Sequence, residues 1–124
     1  MKHMLRGLVV GLILLCCSFF VHAEERITNF ESRATIARDA SVTVTEAITV
    51  IAEGRQIRHG IFRDFPTSYT DANGRRMQVD FEVEEVLLDG GAVDFNLETI
   101  SGGKRVRIGD AQSYVSIGPH TYMI

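Results

Sequence analysis

The sequence predicts an all-β fold, and three observations support that prediction. After residue 23 the aliphatic residues are mostly branched at Cβ, with 19 Val and Ile against three Leu. Branching at Cβ stiffens a side chain and suits a pleated strand better than a helix. Polar and apolar residues also alternate with period two in two runs, and turn-forming residues recur every 8 to 12 positions. These features favour an antiparallel β-sandwich of about seven strands with immunoglobulin-like proportions, and a small barrel is the alternative.

Residues 1–23 have the pattern of a signal-peptide helix. Basic residues (Lys2 and Arg6) precede an apolar run over residues 8–21, and the small-residue ending Val21-His22-Ala23 precedes Glu24. The apolar run is about 14 residues, whereas a membrane-spanning helix needs about 20. We therefore expect cleavage after Ala23 and an exported domain, residues 24–124, at the periplasmic or extracellular face of the cell membrane.

Composition excludes several functions for this domain. Of 13 Lys+Arg and 16 Asp+Glu, only Lys2 and Arg6 lie in the leader, so residues 24–124 carry 11 basic and 16 acidic groups and a net charge of −5. Such a balance disfavours general affinity for nucleic acid. Both cysteines, Cys16 and Cys17, also lie in the leader. The domain therefore has no disulfide, no cysteine-ligated metal and no cysteine nucleophile.

Two long strands open the predicted domain. A first strand, roughly Ile27 to Ile36, is separated from a second, roughly Ser41 to Ala52, by Arg38-Asp39-Ala40. A further run alternates from Met77 to Val83. It follows an Asn73-Gly74 pair typical of a type I′ hairpin turn, in which both central residues have positive φ. Later strands are expected at 93–100, 105–108 and 114–117 and from Thr121.

The end of the chain suggests a longer protein. Thr121 to Ile124 resembles the opening of a strand, and the sequence stops there. A strand cut in its middle leaves unpaired backbone donors and acceptors. We therefore expect the β domain to be truncated at its C-terminal end.

The segment from Glu53 to Arg76 is rich in arginine. Within it, residues 59–66 mix aromatic, charged, Gly and Pro residues, which is typical of an ordered loop, and we expect Phe62 and Phe65 to anchor that loop to the core. Residues 77–98 carry seven acids and no base. Either the arginines neutralise this acidic stretch, or they form a surface that binds carboxylates, phosphates or sugar acids. The basic residues of the segment are Arg55, Arg58, His59, Arg63, Arg75 and Arg76.

Glu46 interrupts the apolar row of the second strand, which includes Val44 and Ile48. A carboxylate buried in that row costs several kcal/mol unless it is paired. We therefore predict an ion pair of Glu46 with Arg58 or Arg63 that fastens the loop to the sheet. A tuned general acid and a bulge that turns Glu46 outward are the alternatives.

No motif in the domain points to catalysis or to a cofactor. His59 and His120 are far apart in the sequence and outside any metal-ligand spacing. The sequence also lacks a G-x-S-x-G elbow, a phosphate loop and a dinucleotide fingerprint. A triad of His59, Asp64 and a serine is conceivable only if the fold brings them into one cleft. We predict no catalytic, cofactor-binding or metal-binding residue.

The stretches 25–27, 42–50, 59–66 and 118–122, taken together, resemble the N-terminal domain of the YciQ-like predicted membrane proteins of bacteria, catalogued as domain of unknown function 2207. The most specific element is R-x-G-I-[FY]-R-D-F-P. The resemblance implies an extracytoplasmic β domain behind a signal peptide, followed in relatives by transmembrane helices and a cytoplasmic tail, and it supplies no catalytic residues. The residues that fit the element are Arg58, Gly60, Ile61, Phe62, Arg63, Asp64, Phe65 and Pro66.

These observations predict an exported, non-enzymatic interaction domain of a membrane protein in the cell envelope. A carbohydrate-binding or polyanion-binding domain that uses Arg55 to Arg76 is the second hypothesis, and an envelope hydrolase is the third. The candidate partners are an envelope protein or an anionic glycan, and nucleic acid is not expected. Membrane attachment is expected only through the signal segment or through a helix beyond Ile124.

Overall fold

The computed structural model describes residues 24–124, so the predicted signal peptide lies outside the described residues. Regular structure in these residues is entirely β, with ten strands in three antiparallel sheets. The prediction of an antiparallel all-β fold is confirmed, but there are more strands than the seven expected because four of them have only two or three residues. The strands are β1 Arg26–Ile36, β2 Val42–Ala52, β3 Ile61–Pro66, β4 Ser68–Thr70, β5 Arg76–Gln78, β6 Leu87–Leu88, β7 Gly91–Ala92, β8 Phe95–Ile100, β9 Gly103–Ile108 and β10 Gly118–Met123.

The largest sheet has five strands in the order β1-β2-β10-β6-β7. Strands β1 and β2 form a long hairpin, paired as far as Ile36 and Val42. Strand β10 covers only part of the other side of β2, from Ala52 to Ala47, and Ile124 adds a pair with Glu46. Within residues 24–124, the first four residues of β2 therefore have β1 as their only strand neighbour.

The second sheet has three strands in the order β3-β9-β8, and β4 and β5 form a separate small hairpin. Strand β9 is central, since it pairs with β3 from Ile61 to Pro66 and with β8 from Phe95 to Ile100. Among residues 24–124, no helix is long and apolar enough to cross a membrane.

The hydrophobic core joins residues from both of the larger sheets. Ile48 and Val50 of β2 and Tyr122 of β10 pack with Val106 and Ile108 of β9. On the same face of β2, the apolar row continues to Val44 and Val42, which remain exposed. Core packing therefore covers one half of β2 and leaves the other half of β2, together with β1, exposed. Val86 belongs to the same cluster, and Ile57, Ile61, Phe65, Phe81, Val83, Leu88, Val93 and Ile124 pack around it.

The predicted hairpin at Asn73-Gly74 is present between β4 and β5, but its turn is not type I′. Only Gly74 of the pair has positive φ, at 79°. The Asp71 carboxylate instead accepts hydrogen bonds from the backbone N–H groups of Asn73 and Arg75, which supports a longer loop. Positive φ at two successive residues, as type I′ requires, occurs at Asp89 (51°) and Gly90 (81°), between β6 and β7.

Three local predictions are wrong. The alternating run from Met77 to Val83 is a strand only as far as Gln78, although Phe81 and Val83 do pack against the core. Residues 114–117 are irregular. Residues 61–66 of the predicted loop form strand β3. Alternation reports which side chains are buried, and it does not report whether a neighbouring strand is available for pairing.

Candidate functional site

Strand β3 directs successive side chains of the R-x-G-I-F-R-D-F-P element to opposite faces. Ile61 and Phe65 pack against the core, and Arg63 lies on the same face between them. Phe62 lies on the opposite face and is 56% exposed, so its expected role as a core anchor is wrong. The period of two in a strand explains why adjacent residues of this element have different environments.

Two glycines allow β3 and β9 to approach each other where the element begins. Gly60 has a φ of 138°, and a Cβ atom there would overlap the carbonyl oxygen of Ile108. Gly109 has a φ of 111°, and a Cβ atom there would overlap the carbonyl oxygen of His59. Both the backbone conformation and the close contact therefore require glycine at these positions.

Glu46 and Arg63 form a bidentate ion pair between the five-stranded and the three-stranded sheet. Arg63 Nε donates to Glu46 Oε2 at 2.7 Å, and Nη2 donates to Oε1 at 2.8 Å. Glu46 is only 5% exposed. The hydrogen bond to this carboxylate raises the pKa of Arg63, against the opposing effect of burial. The two groups are thus paired through two hydrogen bonds, which is the condition for a carboxylate to lie in an apolar row.

The Arg63 guanidinium makes a further hydrogen bond and lies near two aromatic rings. Its Nη1 donates to the backbone carbonyl of Asp64 at 2.6 Å. The group lies 4.7 Å from the ring centre of Phe65 and 5.8 Å from that of Phe30, both within the range of cation–π attraction. Arg63 therefore joins β2, β3 and β1, and each of its three nitrogens already donates a hydrogen bond within the fold.

A second set of ion pairs lies on the outer face of the three-stranded sheet. Arg105 Nε and Nη2 donate to the two carboxylate oxygens of Asp64 at 2.7 and 2.8 Å, and its guanidinium lies 4.2 Å from the ring centre of Phe62. Arg107 donates to Glu98 on β8 at 2.8 Å. These hydrogen bonds lower the pKa of Asp64 and of Glu98. Asp64 is therefore held ionised by Arg105 and does not meet His59.

Other arginines of residues 55–76 are dispersed. Arg75 pairs with Asp71 at 2.9 Å. The Arg58 guanidinium lies 5.8 Å from the ring centre of Tyr114, so the structure pairs Glu46 with Arg63 and not with Arg58. Among residues 24–124, the acids of 77–98 form ion pairs only through Asp89 and Glu98, and their partners, His120 and Arg107, lie outside this segment. The expected neutralisation of the acidic stretch by these arginines is therefore wrong.

A polar cleft of about 530 Å³ lies beside the β6–β7 turn. His120 at its edge accepts or donates on both sides of its ring, with Nδ1 2.6 Å from Asp89 Oδ2 and Nε2 2.7 Å from the carbonyl oxygen of Ser116. The Ser116 hydroxyl is 3.3 Å from the same Nε2. Asp89, His120 and Ser116 are thus linked in series by short polar contacts. No local pattern in the sequence predicts this arrangement, because Asp89 and His120 are 31 positions apart.

The hydrogen bonds of His120 determine what this row can do. A carboxylate and a carbonyl oxygen both accept, so the protonated ring, in which Nδ1 and Nε2 both donate, satisfies both contacts. The hydrogen bond to Asp89 raises the pKa of His120, consistent with that state. An imidazolium cannot take a proton from Ser116. The row is therefore suited to holding β10 against the β6–β7 turn, where Asp89 also accepts from the backbone N–H of Thr121 at 2.8 Å.

A backbone pocket formed by residues 53–57 holds the carboxylate of Glu25. Its oxygens accept from the N–H groups of Arg55 at 2.9 Å and Gln56 at 2.6 Å, and also from Glu53 and Ile57 at 3.1 and 3.2 Å. Burial acts to raise the pKa of Glu25, but these hydrogen bonds together lower it. Convergent N–H groups of this kind bind anions, and here the anion belongs to the chain itself.

No metal centre is evident in the part of the chain that the structure describes. Residues 24–124 contain no group of three or more His, Cys, Asp or Glu side chains placed to hold a metal ion. The charged side chains of the R-x-G-I-F-R-D-F-P element instead pair with other strands, Arg63 with Glu46 on β2 and Asp64 with Arg105 on β9, so the element connects strands within the fold.

Comparison with known families gives a match over nearly all of the described residues. The family described as predicted membrane protein (DUF2207), N-terminal domain, matches residues 26–124. This chain belongs to that family. The matched range begins at the first residue of β1 and includes every strand of the fold.

One curated relative shows how this DUF2207 domain relates to a longer protein. The chain is 27% identical to the uncharacterized protein YciQ of Escherichia coli (strain K12) over 122 residues. The match covers 94% of this chain and 19% of the relative, so the chain spans about a fifth of that protein's length. No solved structure matches the chain.

Proposed function

We propose that this domain is a non-catalytic interaction module that binds another protein through its β1–β2 hairpin. The single observation that carries the proposal is the exposed apolar face on the outer half of that hairpin. Ile36 is 75% exposed, and Val42 and Val44 on the same face are also exposed. Exposed apolar surface of this kind, continuous along two strands, is typical of protein–protein contact sites.

The hairpin is suited to recognition because its position is fixed at one end. Its inner half is held by the core through Ile48 and Val50 and by the Glu46–Arg63 pair. Its outer half projects from this support with β1 as an open edge. A rigid strand with free backbone groups can accept a strand of a partner, with the apolar side chains supplying further contact.

The proposed location is the extracytoplasmic side of a membrane protein. The family is described as predicted membrane proteins, and residues 1–23 have the pattern of an export signal. Because residues 24–124 contain no cysteine, the domain can fold in an oxidising compartment without disulfide chemistry. The attachment to a membrane and the partners of the whole protein belong to this proposal.

The proposed architecture is a two-layer β-sandwich. In this arrangement the five-stranded and three-stranded sheets are the layers, and the cluster around Val106 and Tyr122 fills the space between them. The core composition supports it, since β2 and β10 contribute from one sheet and β9 contributes from the other. The Glu46–Arg63 pair crosses between the same two sheets.

Two adjacent positions on β2 provide a test of the hairpin. A photoreactive amino acid is placed at Val44, on the apolar face, or at Thr43, on the opposite face, in the exported chain, and intact cells are irradiated. Val44 should give a protein adduct, seen as a discrete mass increase on a denaturing gel, and Thr43 should give little. Adducts of equal yield at both positions, an adduct with lipid or glycan alone, or no adduct at Val44 would each overturn the proposal.

A further inference from the structure

We infer that the partner of the hairpin is a second copy of this chain, joined through antiparallel pairing of the two β1 strands. This inference rests on the proposed function and identifies the occupant of the interaction surface. Strand β1 is the edge of the five-stranded sheet, and within residues 24–124 it pairs with β2 alone. An open edge of eleven residues, all of them exposed, is long enough to add another strand.

The known hydrogen bonds of β2 show which groups of β1 face the open edge. Glu46 exchanges both backbone hydrogen bonds with Ile124, at 2.9 and 3.0 Å, so its N–H and C=O point away from β1. Its partner across β1 is Ser32. At such a position of an antiparallel pair, the N–H and C=O groups of both residues point away from the partner strand. This orientation of the backbone groups alternates along each strand. The N–H and C=O groups of Phe30, Ser32 and Ala34 therefore face the open edge.

A two-fold axis at Ser32 satisfies these groups in both copies. With Ser32 opposite Ser32, Phe30 of each copy stands opposite Ala34 of the other, and every position in this set is a hydrogen-bonded pair. Between them, Glu31 of each copy stands opposite Arg33 of the other at the closer, non-hydrogen-bonded positions. Opposite charges at directly facing positions stabilise an antiparallel pair.

The charges select this register from its neighbours. Residues whose N–H and C=O groups face the open edge must pair with each other. The alternative registers therefore move the two-fold axis along β1 in steps of one residue. An axis at Glu31 would place the two Glu31 side chains opposite each other, and an axis at Arg33 would do the same for Arg33, which is unfavourable in both cases. Neither residue has an ion pair within residues 24–124. Only the axis at Ser32 gives two cross-strand ion pairs.

The same symmetry accounts for the uncovered half of the hairpin. Residues directly opposite in an antiparallel pair share a face, so the two-fold axis is perpendicular to the sheet and both apolar faces point the same way. The two strands run in opposite directions, so the buried half of one hairpin lies beside the exposed half of the other. The three-stranded sheet of one copy thus lies on the same side of the joined sheet as Ile36, Val42 and Val44 of its partner. Both copies use the same surface, as in other two-fold dimers.

Disulfide formation at the axis tests the register. In an exported chain with Cys16→Ser and Cys17→Ser, the substitution Ser32→Cys places the only thiols at a hydrogen-bonded pair, where Cα atoms are about 5.5 Å apart and within reach of a disulfide. Ala34→Cys is the matched control, because its two copies would be separated by about 13 Å along the strands. We expect a covalent dimer on mild oxidation for Ser32→Cys and monomer for Ala34→Cys. Equal yields for the two variants, or no dimer for Ser32→Cys, would overturn the inference.

Charge exchange is an independent test that requires no cysteine. Glu31→Arg alone or Arg33→Glu alone should abolish the dimer, since each brings like charges together twice, and the double variant should restore it. Sedimentation, which distinguishes one chain from two, measures the outcome. Circular dichroism checks that each variant folds. Dimers that persist in both single variants, or a double variant that stays monomeric although folded, would contradict the pairing.

The two sets of experiments separate failure of the dimer from failure of the proposed function. An adduct at Val44 with a different protein, together with no disulfide at position 32, would leave the interaction function standing and remove the second copy as partner. An absence of both adduct and disulfide would overturn both. A disulfide at position 32 with an adduct at Val44 of twice the chain mass is the result expected from the inference.

Discussion

The two halves of strand β2 have the same alternation of residues but different environments. From Glu46 to Ala52, every second residue is buried, and Val50 is 1% exposed. From Val42 to Thr45, the residues on the same face are exposed, and Val44 is 44% exposed. The difference arises because β10 and the core cluster accompany only the inner half. Periodicity therefore assigns a residue to a face, and the reach of the neighbouring layers decides whether that face is covered.

The largest expected effect on the free energy of unfolding follows from loss of the Glu46–Arg63 ion pair, in the buried half of β2. Arg63→Ala leaves the Glu46 carboxylate buried without its partner, and we expect the free energy of unfolding to fall by about 3 kcal/mol, at the lower end for a broken buried pair because the Arg63 side chain is 33% exposed. Urea unfolding followed by circular dichroism measures the change.

Arg75→Ala is the control for this prediction, because the Arg75–Asp71 pair is a surface ion pair with a 74% exposed arginine. Its loss should change the free energy of unfolding by less than about 1 kcal/mol. Similar losses for Arg63→Ala and Arg75→Ala would show that the Glu46–Arg63 pair does not hold the sheets together.

The same substitution in both halves of β2 tests the comparison directly. Val50→Ala removes two methyl groups from the core and should lower the free energy of unfolding by about 2 kcal/mol, through lost burial and the remaining cavity. Val44→Ala should change it by about 0.5 kcal/mol or less in the monomer, because the side chain is already in solvent. The measurement is made at concentrations where sedimentation shows a single chain. Equal losses at the two positions would mean that the outer half is packed in solution.

The sequence alone predicts the structural features that depend on residues close to one another along the chain. Strands β1 and β2 lie within about one residue of their predicted bounds, since turn residues at 38–40 separate two runs of strand-forming residues. The row that contains Glu46 was assigned correctly, and the cost of a buried carboxylate led to Arg58 or Arg63 as its partner. The choice between those two arginines depended on the pairing of β3 with β9, which joins residues about 40 positions apart.

Features that depend on long-range pairing could not be predicted from the pattern. His120 and Asp89 meet because β10 lies beside β6, and no local signal specifies that neighbour. The turn residues Asn73-Gly74 were a sound signal for a hairpin, but the Asp71 side chain stabilises a different loop. A β3 strand was mistaken for a loop because Gly and Pro at its ends are usual in loops, whereas here the glycine allows close approach to β9.

A substitution at the buried residue Tyr122 should have a smaller effect on the free energy of unfolding, of the opposite sign. Its hydroxyl is buried and has no hydrogen-bond partner among residues 24–124. Tyr122→Phe removes this unpaired group, and we expect the free energy of unfolding to rise by up to about 1 kcal/mol. Tyr69→Phe is the control, because the Tyr69 hydroxyl donates to the carbonyl oxygen of Pro66 at 2.8 Å and its loss should be neutral or destabilising. A destabilised Tyr122→Phe variant would contradict the prediction.

The smallest expected effect is a dependence of stability on pH at His120. Hydrogen bonding to Asp89 raises the pKa of His120 in the folded chain above its ordinary value of about 6.5. The stabilisation is therefore fully present below about pH 6.5 and is lost as the pH rises through the raised folded value. Thermal unfolding of His120→Gln should lose this dependence, and His59→Gln should keep it. A pH profile that is unchanged in His120→Gln would contradict the assignment.

The contact between Gly60 and Gly109 affects how substitutions in the R-x-G-I-F-R-D-F-P element should be interpreted. A side chain at either glycine would push the β3 and β9 backbones apart and move Arg63 away from Glu46 without touching any partner molecule. A scan that finds loss of binding at Gly60 would then report the spacing between two strands and not the chemistry of recognition. Assignments of a contact surface in this domain should therefore exclude both glycines and rely on exposed positions, such as Phe62, whose removal leaves the strand spacing unchanged.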